Sequence, residues 1–355
     1  MSAPPTSLED IKTPWLEEVL GISHLKDFSI TSPKDLVGYG SDIGFLNIRG
    51  GGSDLPTDFF IKVPPKEKGS RAAVLKFGGF QREIMFYRHF APVLPVRSPR
   101  PYATQFEINT GAGILILEDC SRMKSFRFNQ APPLKKELQQ IVRALAKLHA
   151  HFWNQTETVF GYSRSFSSNN NANDRCPTEI VDREWPESYL ATHLPCNMTK
   201  LAVRLSQEVS YLKCHACVSK HKTLVHRDFH LQNVLYDPNA KEDSVVIVDW
   251  DSFGVGCGAH DLAYMASLLP TNYRRSNEDV LLATYHDDLR SHGVTDYGAD
   301  EFYADYRLGA LLAPALQPIL TQLMRDTADS RSLLLTLSTR QFQLILDHQS
   351  DALLT

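Results

Sequence analysis

What the chain lacks narrows it first. No window reads as a membrane span: the nearest candidate, Leu308 to Met324, carries only apolar and neutral residues but is broken by Pro314 and Pro318 and holds Gln317 and Gln322, and it reads as a kinked buried helix. The first twenty residues show no charged-then-apolar signal pattern. No long basic run occurs and the formal net charge is -4, so neither nucleic acid nor an anionic membrane is expected as a partner. Cysteine is sparse, 6 in 355 residues and scattered, which implies no disulfide framework and suits a reducing, cytoplasmic setting. Cys214-His215-Ala216-Cys217 offers zinc-like spacing, but no second ligand pair follows, and one turn of an ordinary helix is the plainer reading.

What is present is an ordinary globular composition, 43% hydrophobic and 22% charged, over a length that suits two lobes or domains. Its organising stretch runs from Thr223 to Met265. Within it His226-Arg227-Asp228 is followed by Asn233, five residues after Asp228, and then by the apolar, β-branched Val245-Val246-Ile247-Val248 ending at Asp249. Phosphoryl transfer from ATP to a hydroxyl needs an acceptor for the hydroxyl proton and oxygen ligands for magnesium. Asp228 suits the first task. Asn233 and Asp249 suit the second, since Mg2+ takes hard oxygen donors and keeps several waters. A tight loop lets Asp228 and Asn233 converge, and a buried strand delivers Asp249 to the same cavity.

Upstream, Phe59-Phe60-Ile61-Lys62-Val63 is an apolar strand holding one cation, and a helix carrying Glu83 follows after about twenty residues. That is the order in which a lysine contacts α/β-phosphates and a glutamate holds it, with Lys76 as the competing lysine. Earlier still, Gly38-Tyr39-Gly40-Ser41 is a glycine turn whose backbone could approach phosphate at Gly40 and Ser41; a plain hairpin is the alternative. Gly50-Gly51-Gly52-Ser53 reads as the next hairpin turn. Thr13-Pro14 starts a short helix with an apolar face of Trp15, Leu16, Val19 and Leu20. Leu134, Leu138, Ile141, Leu145, Leu148 and Phe152 mark a long amphipathic helix on which His149 and His151 face different ways and serve packing or surface.

From about Val37 to Arg307 these stretches resemble the catalytic core of the aminoglycoside phosphotransferase and choline kinase superfamily, especially its ecdysteroid-kinase-like and bacterial phosphotransferase branches. The resemblance rests on the Asp228-to-Asn233 loop, on Asp249, and on the lysine strand followed by Arg82-Glu83-Ile84-Met85-Phe86-Tyr87-Arg88-His89-Phe90-Ala91-Pro92. It implies an α+β, protein-kinase-like two-lobed fold: residues 1–117 a small β-rich N-lobe, and 118–355 a larger, mainly helical C-lobe. It also implies a hinge at Glu118, Asp119, Cys120 and Ser121, where adenine lies along the backbone; a strand ending in a solvated acidic turn is the alternative. ATP and Mg2+ are the cofactors expected.

Departures from protein kinases set the substrate class. His230 stands where those enzymes usually carry lysine, only eleven residues separate Asp249 from Asp261, and no Ala-Pro-Glu sequence follows, so there is no segment for a protein substrate to dock on. A small-molecule hydroxyl acceptor is expected: antibiotic, choline-like amino alcohol, sterol-like alcohol or sugar. Arg227 is expected to pair with a loop acid, His226 to support the loop, and Asp261 to cap a helix and brace the loop; Asp251 could assist the metal or contact the acceptor, although resembled members often carry other residues there. The loop Ser163 to Pro177 reads either as part of the acceptor pocket or as a tolerated insertion. Asp287, Asp288, Asp296, Asp300, Glu301 and Asp305 read as a solvated face, or as an attractor for a cationic acceptor. A non-catalytic nucleotide-binding protein and a protein kinase are the alternative functions.

Overall fold

The structure, a computed structural model, describes residues 2–33, 41–52, 55–67, 71, 78–155, 189–217, 219–240, 242–316 and 327–354. Gly38 and Gly40 of the glycine turn, Lys76, and the loop 163–177 lie outside these residues. The chain forms two compact units, the first from Met1–Lys124 with Leu235–Phe253, the second from Ser125–Val234 with Gly254–Thr355.

The first unit begins with helix α1 (Thr13–Leu20), started by Pro14 in its first turn and ended by Gly21 at φ 65, where a side chain would be strained. Leu16 is fully buried and Trp15, Val19 and Leu20 pack beside it, as the apolar spacing predicted. An antiparallel sheet follows, with strands β1 (Leu25–Thr31), β2 (Asp42–Gly50), β3 (Asp58–Val63), β4 (Pro101–Glu107) and β5 (Ala112–Glu118) in the order β1-β2-β3-β5-β4. Phe59, Ile61 and Val63 of β3 meet Ile114 and Ile116 of β5 in the core. Lys62 therefore alternates to the opposite face, pairing across the sheet with Ile43 and Leu115.

Helix α2 (Gly79–His89) lies against β4. It also comes close to β5 at Gly113, where an added Cβ would stand 2.7 Å from Phe80. The segment 235–253 joins this unit through strand β9 (Val245–Ile247), whose Val246 bridges Arg97 in parallel and whose Ile247 amide donates to the Arg97 carbonyl at 3.0 Å. It is preceded by the short strands β6 (Lys124–Ser125), β7 (Thr223–Val225) and β8 (Val234–Tyr236).

The second unit is mainly helical: α3 (Lys135–His151), α4 (Tyr189–His193), α5 (Cys196–Cys217), α6 (Gly258–Leu268), α7 (Thr271–Ser291), α8 (Ala299–Leu312) and α9 (Ala328–Asp347), with β7 paired antiparallel to β10 (Gly254–Gly256). The backbone of residues 214–217 is helical. Helix α3 packs on α7, and α8 and α9 pack on α6. Ten of the eleven residues of α6 are buried, so it is the central helix of this unit. Leu308 to Leu312 end α8 and residues 313–316 form a 3-10 turn that starts just ahead of Pro314, so the first half of the apolar stretch is a helix that stops at proline. No described helix is long and apolar enough to cross a membrane.

Candidate active site

In the first unit, sheet and helix aim Lys62 and Glu83 at one another. The Lys62 ammonium lies 2.8 and 3.1 Å from the two Glu83 carboxylate oxygens and 2.7 Å from Asp249 Oδ1. Lys62 and Glu83 are buried, whereas the Asp249 side chain keeps 41% of its surface exposed. Burial alone would lower the lysine pKa, but Asp249 and Glu83 outweigh it and hold the ammonium well above its ordinary value. Asp249 sits at φ 65, a left-handed backbone that a non-glycine residue adopts only when its surroundings impose it. Asp251 adds a third carboxylate: burial, then the charges of Asp249 and Glu83, push its pKa up to about 7, and Ser252 Oγ donates to it at 2.7 Å. Glu83 and Asp249 thus share one ammonium with Asp251 beside them, a group of carboxylates whose charged forms a divalent cation would stabilise. The donors are oxygens of the kind magnesium takes, so the residues fit that ion.

The sequence did not flag what fixes this cluster. Phe86 stacks on Trp250 with ring centroids 4.0 Å apart and planes 9° from parallel, and Phe253 packs edge-on against Phe86 and Phe90. The Trp250 backbone amide donates to Glu83, and Arg82 Nε donates to the Asp251 carbonyl at 2.6 Å. The aromatic spacing of α2 was the available signal; its partner lies far along the chain.

At the end of β5 the side chains of the expected hinge are turned to the protein itself. Glu118 accepts from Arg97 at 2.6 Å and from the Arg100 amide at 3.2 Å, and Asp119 accepts from the Ser121 amide at 2.8 Å. Burial, then the Glu118 charge, push the Cys120 thiol up to about 12, so it behaves as a small apolar group. Whatever this segment offers a base comes from its backbone. Ser41 is buried at the start of β2, and Gly40 lies outside the described residues.

In the second unit, β7 leads into the loop 226–233, which carries Asp228 and Asn233. Asn233 Nδ2 donates at 3.0 Å to both the carbonyl and Oδ2 of Asp228, so the carboxamide is oriented with its nitrogen on Asp228. His230 Nε2 lies 3.5 Å from Asp228 Oδ2, and its ring meets those of Phe128 and Tyr264. Asp261, in the first turn of α6, accepts from the His226 amide at 2.6 Å and the Arg227 amide at 2.9 Å. It braces the loop as expected but does not cap α6: Cys257 holds the N-cap position, and Asp261, three residues into the helix, turns its carboxylate to the loop amides instead. His149, fully buried, stands 3.4 Å from Asp261 through Nε2 and 2.7 Å from the Tyr285 hydroxyl through Nδ1. Burial disfavours the Asp261 charge, but His149, followed by His226, outweighs it and holds the pKa below the ordinary aspartate value.

Arg227 departs from expectation. Its guanidinium donates to the Val255 carbonyl at 3.0 Å and lies flat against Gly254; the loop acid Asp261 meets its backbone amide instead. The reason is its own backbone: at φ 67 the residue is left-handed, which swings the side chain towards β10. Several acids of the late helices are also engaged within the protein. Asp296 and Glu301 flank buried His221 at 3.5 and 3.3 Å, and Asp305 accepts from the Tyr297 hydroxyl at 2.8 Å and the Cys257 thiol at 3.3 Å.

The model of the Ecdysteroid kinase-like family matches residues 39–294. Solved structures of similar fold include a microcompartment-associated aminopropanol kinase, at TM-score 0.53 and 12% identity over 97% of this chain and 99% of that one. A spectinomycin phosphotransferase in complex with ADP and spectinomycin gives 0.53 and 13% over 96% and 99%. The GDP complex of an aminoglycoside 2′-phosphotransferase-IIIa variant gives 0.52 and 11% over 96% and 97%. No curated protein matches the chain in sequence. At such identities the likeness is one of fold, the protein-kinase-like α+β fold with a β-rich and a helical lobe that the sequence implied.

Proposed function

Because the chain belongs to the ecdysteroid kinase-like family, we propose that it is an ATP-dependent kinase that transfers the γ-phosphoryl group to a hydroxyl of a small molecule. The observation that carries this reading is the buried Lys62 ammonium held between Glu83 and a partly exposed Asp249. A lysine fixed in that way can hold α- and β-phosphate oxygens without searching rotamers. Asp228, oriented by Asn233, accepts the proton as the acceptor oxygen bonds to the γ-phosphorus and the bond to ADP breaks. Asn233 and Asp249 are the residues assigned to magnesium, which when bound supplies positive charge to the phosphates. The backbone of Glu118 to Cys120 is assigned to adenine. Similar structures named for aminopropanol and spectinomycin support a small acceptor, as does the absence of room between Asp249 and Asp261 for a peptide-docking segment. The reading sets the chain to work in the cytoplasm, where ATP is supplied and Cys120 and Cys257 stay reduced.

ATP consumption by the purified protein over a panel of small hydroxyl compounds tests it. Turnover is expected with at least one of them, and Asp228→Asn is expected to lower kcat by a factor on the order of 100 to 10,000. Binding without turnover would favour a non-catalytic nucleotide-binding protein. Labelling of polypeptides in preference to small alcohols would favour a protein kinase.

A further inference from the structure

Glu83 and Asp249 both hold Lys62, yet they reach it from separate pieces of chain, helix α2 and the segment after β9. Something must fix one against the other. The Phe86–Trp250 stack supplies apolar contact and the Trp250 amide donates to Glu83, but stacked rings can slide, that amide shares the Glu83 carboxylate with Lys62, and Asp249 itself sits on a left-handed backbone that needs an external restraint. We propose that Arg82 is that restraint: its hydrogen bond to the Asp251 carbonyl locks the helix carrying Glu83 to the loop carrying Asp249, making it a positioning residue for phosphoryl transfer. The inference rests on the function proposed above.

Three features carry it. The bond is short, 2.6 Å, charge-assisted and partly buried, the class of hydrogen bond that holds geometry best. Its acceptor is a main-chain carbonyl, so it fixes the backbone two residues beyond Asp249 whatever side chain stands at 251. Arg82 also directly precedes Glu83 on α2, whose first turn closes on Asp251 at Gly79, where an added Cβ would stand 3.4 Å from Asp251 Oδ2. Rotation of α2 about its axis would move both side chains at once. A bond at 82 therefore holds the carboxylate at 83 on Lys62.

Side-chain replacements chosen by what they carry at the Nε position test this. Gln carries an amide nitrogen the same number of bonds from Cα as Arg Nε, Met carries a methyl there, and Lys carries its nitrogen one bond further on. Arg82→Met is expected to lower kcat about tenfold while KM for the acceptor alcohol stays within about twofold, and Arg82→Gln to recover to within about threefold of the parent. In an Glu83→Gln background the Arg82→Met loss is expected to shrink, because the two act through one lysine. Should Arg82→Met fail to fold, Arg82→Lys supplies the contrast. A hydrogen-bonding role ranks Gln above Lys, whereas a role in charge or packing ranks Lys above Gln. Unchanged kcat in Arg82→Met, or Gln no better than Lys, overturns the positioning role while the kinase reading stands. A parent protein that neither binds Mg-ATP nor consumes it overturns both.

Discussion

Lys62 carries more than its share of charge at the residue scale, with an ammonium 2.8 Å from Glu83 and 2.7 Å from Asp249. Its folded pKa lies above its unfolded one, so its contribution to stability is present at all pH values below the ordinary lysine value of 10.5 and is lost only as pH rises through the folded value. Lys62→Met reverses the local logic by leaving Glu83 buried without its cation. Burial already lifts the Glu83 carboxyl above its ordinary value of 4.5 against the pull of Lys62, and removing Lys62 lifts it further. A carboxyl whose folded pKa exceeds its unfolded one takes up a proton on folding, so the variant gains stability as pH falls and loses it as pH rises. The expected penalty is about 3 kcal/mol near pH 8 by urea unfolding, shrinking towards pH 5. Equal penalties at the two pH values would mean that Glu83 is not the group left uncompensated. The order of elements made Lys62 and Glu83 legible in the sequence: a lone lysine in an apolar strand usually points to solvent, but a helix carrying a glutamate about twenty residues on supplies it with a partner. Arg227 was not legible in the same way: its partner depends on a positive φ and on the space at Gly254, neither of which residue type announces.

Elements meet tightly where α6 begins. An added Cβ at Gly258 would stand 2.5 Å from the Tyr285 hydroxyl and 2.6 Å from His149 Nδ1, two atoms already bonded to each other in a buried site. Gly258→Ala must therefore displace either the hydrogen-bonded pair or the helix, at a cost of about 2 kcal/mol. The helix start carries Asp261, which holds the His226 and Arg227 amides, so the same variant is expected to lower kcat beyond what its loss of folded fraction explains. Thermal unfolding together with turnover per folded molecule measures both; an unchanged midpoint would show that the helix start has room to spare. Helix α3 itself was plain in the sequence from its three- and four-residue apolar steps. The role of His149 on it was not, because its partner Tyr285 lies 136 residues further on and no local pattern joins them. Asp261 was half legible: an acid opening a helix suggests a cap, and only the loop threaded beside it shows that its oxygens serve other amides.

For the whole molecule, the units are not continuous in sequence: residues 235–253 follow the Asp228–Asn233 loop and belong to the first unit, where β9 meets Arg97 and Trp250 stacks on Phe86. Motif spacing predicts that Asp228, Asn233 and Asp249 serve one reaction, but it does not say which part of the chain each packs with. Packing is a sum of many weak contacts, and motifs record few of them. A ligand that binds only the folded chain raises its stability by mass action, whichever residues hold it. Mg-ATP at a hundredfold excess over its Kd is therefore expected to add about 2.7 kcal/mol to the unfolding free energy. ATP with EDTA is expected to add less, since on the proposed reading Asp249 would then face the phosphates without its magnesium, beside Lys62 alone. Asp249→Asn removes that charge together with the assigned magnesium ligand, so the difference between ATP with and without magnesium is expected to narrow in that variant. Thermal midpoints across a titration of each nucleotide form check this, and a midpoint indifferent to millimolar Mg-ATP would remove nucleotide binding from the account.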